Sequence, residues 1–196
     1  MQMLRFATLF LFALVLTPLG VVLHEAGHWV AGQAAGFPTV LHAYAVSGMP
    51  EEAPFGGNPL GVGIAVLAGP AVSVLLTAVG YVLWRQDPSR LWALALAFSA
   101  PTRFLVNVFY LLGSVLVAMG IAERGNANFD EMTASRALDM PVLPLVLVGA
   151  IVLLAAWALI IRGLDTSRWT SIAALAAGTG AGLALWLGPV GTFLLP

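Results

Sequence analysis

The sequence predicts an all-α polytopic membrane protein of about five transmembrane helices, with a short strand or hairpin after the first. Three observations lead there. Of 196 residues, 60% are hydrophobic and 9% charged, with a mean hydropathy of +0.97. Soluble domains carry about 25% charged residues, so this chain has too little polar surface to cover itself in water. Several segments also reach the ~20 apolar residues that a bilayer crossing needs. Finally, no repeat and no linker divides the chain, so residues 1–196 read as one transmembrane domain.

The first span is expected within Leu4–Gly36, which is longer than one crossing requires. Arg5 and the run Phe6–Leu16 look like the start of a secretory leader. No small-x-small cleavage site follows promptly, and apolar character continues past Val30, so the segment reads as a retained span. The second span is Leu60–Trp84. The third lies within Leu91–Ile121, where Pro101 in "SAPTR" either kinks one helix or splits off a short segment. The fourth is Val142–Ile161, and the fifth runs from Trp169 to Leu195, rich in Gly and Ala. Between the first two spans, "TVLHAYAVS" places Val40, His42, Tyr44 and Val46 on one face if it is extended.

The formal net charge is −1, and the eight basic residues are all Arg. Nothing resembles a basic patch for nucleic acid. With no Cys, a metal site must be built from His, Asp or Glu.

Such a site is suggested by "VVLHEAGHWVAGQAAG". His24 and His28 are four residues apart, so on a helix they share a face, and Glu25 follows His24 directly. This is H-E-x-x-H, in which two imidazoles hold zinc and the Glu acts on a water at the metal. Ionisable groups inside a span are costly and by default functional. Two of the three histidines in the chain belong to this motif. The enzyme reading rests on Glu25, which mere metal binding would not need. The competing readings are a membrane metal-binding or transport protein, or an inactive protease-like scaffold.

"HEAGHWVAGQAAGFP", followed by a short extended stretch and then "LAGPAVSVLL", resembles the site-2 protease group of intramembrane zinc metalloproteases. The resemblance covers roughly residues 15 to 140. It implies a zinc cofactor, a third ligand Asp from a later helix, and membrane-spanning protein substrates cut within the bilayer. Ser73 stands where that group often has Asn, and its usual L-D-G is absent. For the third ligand Asp130 ranks first. Two spans beyond His28, it emerges on the same side of the membrane, and it begins a helical pattern as the group's Asp does. Glu131 follows, then Glu51 and Glu52, with His42 near in sequence but on an expected strand.

Asn107 is a candidate to bond a substrate carbonyl or the oxyanion, since the group places an Asn before its Asp, although helix–helix bonding is the favoured reading. Val40, His42 and Tyr44 are candidates to pair with an unwound substrate by strand addition, because freed backbone groups need partners away from water. Ala65, Gly69, Ser73 and Thr77 form a small-residue stripe expected to pack on the first span. Gly178 and Gly182 are read similarly, with a second copy of the chain as another possible partner. Arg103 is read as snorkelling to an interface.

Location in a cell membrane is expected. Orientation stays open. Arg5, Arg85, Arg90, Arg162 and Arg168 fall on one side, and Arg124 and Arg136 on the side of the motif. By the positive-inside rule the motif's side is not cytosolic, whereas the resemblance implies that it is.

Overall fold

A computed structural model describes residues 2–123, 128–164 and 168–195. Arg124, used above for orientation, lies outside them. The described elements are helix α1 (Gln2–Ala34), a hairpin of β1 (Val40–Leu41) and β2 (Val46–Ser47), α2 (Pro59–Gln86), α3 (Leu91–Ser99), α4 (Leu105–Ala118), α5 (Asp130–Ala137), α6 (Val142–Gly163), α7 (Arg168–Leu185) and α8 (Gly191–Leu194). Among the described residues, five helical stretches are long and apolar enough to cross a membrane: α1, α2, α3 with α4, α6, and α7 extended to Gly188. The fold is compatible with a multi-pass membrane protein.

Pro101 breaks the third span. A 3-10 turn, Ala100–Phe104, joins α3 to α4. A proline cannot donate a helical hydrogen bond, and here the Thr102 hydroxyl donates to the Ser99 carbonyl at 2.6 Å. The break separates two environments. Every residue of α3 from Ala93 to Ser99 is buried, whereas Asn107 is the only buried residue of α4. The Trp157 indole N–H on α6 donates to the Phe98 carbonyl at 3.0 Å, and the two rings stack 5.2 Å apart.

Two apolar clusters bracket the middle of the bundle. One joins Leu9 and Ala13 of α1 to Trp84, α3, Ile160 and Leu175. The other joins Phe37 and Phe55 to Val62 and Val66 of α2 and Ala134 and Ala137 of α5. His24 and His28 lie on α1 between them. Lipid gives helices little hydrophobic reason to associate, so close backbone approach has to do it. A Cβ on Gly178 would meet the Phe10 carbonyl oxygen, and one on Gly182 would meet the Leu14 carbonyl oxygen at 2.7 Å. These glycines therefore seat α7 on α1 within one chain.

The stretch after α1 is a hairpin, not one extended strand. Val40 pairs with Ser47 and Leu41 with Val46, antiparallel. The His42 N–H closes the turn on the Ala45 carbonyl at 2.9 Å. Gly48, at φ +82°, lets the chain double back, since a Cβ there would run into the Pro38 carbonyl. The tip is tied to the far end of the chain. The Trp186 indole N–H donates to the Ala43 carbonyl at 2.7 Å, and the Ala43 N–H donates to the Leu195 carbonyl at 3.0 Å.

Candidate metal centre

His24, Glu25 and His28 are all buried on α1, and one potential ligand atom from each lies within 4.8 Å of the others. This group can hold a metal ion. Its finer geometry follows from what fixes each ring.

The His28 Nδ1 is 2.9 Å from the Ala65 carbonyl of α2. A carbonyl only accepts, so Nδ1 carries the proton and Nε2 keeps its lone pair. His24 follows the same logic. Its Nε2 accepts from the Arg103 Nε–H at 3.2 Å, so its Nδ1–H is left to donate to the Ser73 hydroxyl oxygen at 3.0 Å. The two Nε2 atoms are 3.0 Å apart. The Asp130 Oδ2 lies 3.1 Å from that of His24 and 3.5 Å from that of His28. With both rings neutral, three acceptor atoms face one another at these distances. Such a cluster is stable only around positive charge, whether shared protons, a guanidinium or a metal ion.

Arg103 supplies part of that charge, its Nη2 donating to Asp130 at 2.8 Å. Burial opposes a charge on Asp130. Protons shared with the two imidazoles and the Arg103 guanidinium outweigh it and hold the carboxyl well below the usual carboxylate range. Glu131 differs. It is buried, and burial pushes its carboxyl up, only partly offset by the Asn107 side-chain amide, which donates to it at 2.8 Å.

Helix α2 is the second wall. Gly69 is required by contact: a Cβ there would strike the His28 ring, so the imidazole lies directly against the helix backbone. Gly27 of α1 faces the same helix, where a Cβ would sit 2.9 Å from the Ala68 carbonyl oxygen.

Two cavities meet at the cluster, and Glu25, Tyr44 and Arg103 line both. One, of about 200 Å³, is polar, reaching Glu51, Asn128 and Thr133. The other, of about 290 Å³, runs along α1 and α7 past Thr17, Gly20, Val21, Leu183 and Leu187.

The structure thus brings His24, Glu25, His28 and Asp130 together. Tyr44 reaches the centre, while Val40 and His42 line neither cavity, and the His42 Nε2 is 2.9 Å from the Ser47 hydroxyl. The expectation of one continuous face is corrected, because the turn at His42–Ala45 reverses the chain. Asn107 is fully buried, its amide donating to Glu131, and it lines neither cavity. Glu51 lines the polar cavity and Glu52 does not. Sequence reasoning missed Arg103, Ser73 and the Ala65 carbonyl as partners of the histidines. The stripe Ala65–Gly69–Ser73 was the available signal, since close packing on α1 brings it against whatever α1 carries.

No protein-family model, curated protein or solved structure matches the chain. The class defined by fold and site alone is a helical bundle, compatible with a multi-pass membrane protein, with a buried His–Glu–His group that can hold a metal ion.

Proposed function

We propose that the protein is an intramembrane zinc endopeptidase of the site-2 protease type, acting in a cell membrane on membrane-spanning protein substrates. The observation that carries this reading is the triangle of His24 Nε2, His28 Nε2 and Asp130 Oδ2, with sides of 3.0, 3.1 and 3.5 Å. Ligands about 2.0–2.1 Å from a tetrahedral zinc lie roughly 3.3 Å from one another. The donor set fits: two imidazoles with lone pairs turned inward and one carboxylate. Both imidazoles are oriented through their other nitrogen, as metal-binding histidines usually are. Zinc prefers such N and O donors, and three protein ligands leave a position open.

Bound there, zinc would polarise a peptide carbonyl and lower the pKa of a water towards about 7. The chain's own residues do the rest. Glu25, buried beside the triad but outside it, accepts the proton of the attacking water and returns it to the departing amide nitrogen as the C–N bond breaks. The polar cavity at Glu51, Asn128 and Thr133 is the route by which water reaches Glu25. Arg103 Nε and a metal compete for one lone pair on His24. Loading therefore frees Nε, while Nη2 keeps Asp130 oriented.

The test is zinc content per purified protein, measured together with cleavage of a single-span reporter in liposomes. About one zinc per chain and a cut within the span are expected. A chain that binds no zinc, or a zinc-loaded chain that cuts no member of a panel of single-span reporters, would sink the proposal.

A further inference from the structure

The apolar cavity has a feature that the centre itself does not explain. Thr17, Gly20, Val21 and His24 form one stripe along α1, and Gly20 is one turn before His24. A Cβ at Gly20 would meet nothing within 4 Å. That is unlike Gly69 and Gly27, where a neighbouring helix demands glycine. Glycine inside a helix is unfavourable relative to alanine, and at Gly20 no close approach compensates. What its missing side chain leaves is open volume, continuous with His24 and Glu25.

The cavity's shape limits its occupant. The cavity holds about 290 Å³, room for a large side chain. Val21, Leu105, Leu183 and Leu187 give it apolar walls, and its lining includes His24 and Glu25.

We propose that this cavity is the subsite for a branched apolar or aromatic side chain adjoining the scissile bond, and that Gly20 sets its depth. The inference rests on the zinc-peptidase reading and deepens it: the substrate is a span unwound at a bulky apolar residue. A side chain added at Gly20 fills the pocket from α1 without touching a zinc donor.

The test needs no natural substrate. Acetohydroxamic acid and 4-methylpentanohydroxamic acid share a zinc-chelating head and differ by an apolar tail. Their affinities for the zinc-loaded protein are measured by calorimetry in one detergent, for the parent, Gly20→Ala and Gly20→Leu. Comparing the ratio of the two affinities across these proteins cancels partitioning of the tail into micelles. The parent should favour the branched probe by roughly 200-fold more than Gly20→Leu does, given the usual gain for each of the four added carbons. Gly20→Ala should fall between them. Zinc per chain should stay at the parent level in both variants, which shows that the centre is intact. An equal ratio in parent and zinc-retaining Gly20→Leu overturns the subsite. If Gly20→Leu loses zinc, Gly20→Ala decides, and a ratio unchanged from the parent overturns it. If neither hydroxamate binds the zinc-loaded parent, the zinc-peptidase reading falls and takes the subsite with it.

Discussion

Asp130 and Glu131 are adjacent acids at the start of α5, and they serve two different regions. Asp130 turns towards α1, where two imidazoles and a guanidinium surround it. Glu131 turns towards α4 and α6, where it meets the Asn107 amide and an apolar cavity lined by Leu67, Leu145 and Val152. Successive residues on a helix point about 100° apart, and that rotation is the whole difference between them. One acid is held charged by its partners; burial drives the other towards its neutral form. Residue type and position in the chain therefore say less about role than the register of a short helix against its neighbours.

The largest effect that would break this comparison is at Asp130. Asp130→Ala should lower zinc affinity by more than about 100-fold and abolish cleavage, since two histidines alone leave the ligand set incomplete. Metal competition with a calibrated chelator reads this directly, and full zinc retention would shift the ligand assignment to Glu131 or Glu51. Glu25→Gln separates chemistry from binding. It should keep most zinc and lose about 10³-fold in cleavage rate, because the proton acceptor alone is gone; cleavage at the parent rate would remove Glu25 from the mechanism.

Smaller effects concern the groups that aim the rings. Gly69→Ala should weaken zinc about 30-fold by pushing the His28 ring off α2. Ser73→Ala removes the acceptor for the His24 Nδ1–H and should cost about 10-fold, with Ser73→Thr restoring most of it. Unchanged chelator competition in both would mean that α2 does not orient the rings. At the bottom of the scale, Glu131→Gln keeps an acceptor for Asn107 and removes a buried acid, so zinc affinity should change less than about threefold. A loss comparable to that of Asp130→Ala would erase the distinction between the two acids.

Much of this was legible in the sequence. Five helices long and apolar enough to cross a membrane follow from apolar length, and the α1 group from spacing on a helix. A short strand or hairpin was legible after α1, but not which of the two, because the turn His42–Ala45 has none of the Gly, Pro, Asn or Asp that usually mark one. Arg103 looked like an interfacial cation because a straight helix through Pro101 gives it no reason to turn inward. The 3-10 turn does, and it follows directly on α3, which packs against α1 and α2. Ser73 and Gly69 were read as packing residues, which they are; what they pack against became visible only once α1 and α2 were brought together.

The separation of His24 and Asp130, 106 residues along the chain, also has a consequence for biosynthesis. Chains are made at about 5–20 residues per second, so the two histidines precede the carboxylate by roughly 5–20 seconds. During that interval the nascent membrane protein carries Glu25 and half a ligand set, without the acid that would complete it. On the proposed reading it is inert towards its neighbours at the site of insertion, and hydrolytic competence arrives only when α5 docks. Timing of this kind needs no propeptide or inhibitor, because the order of the genetic message supplies it.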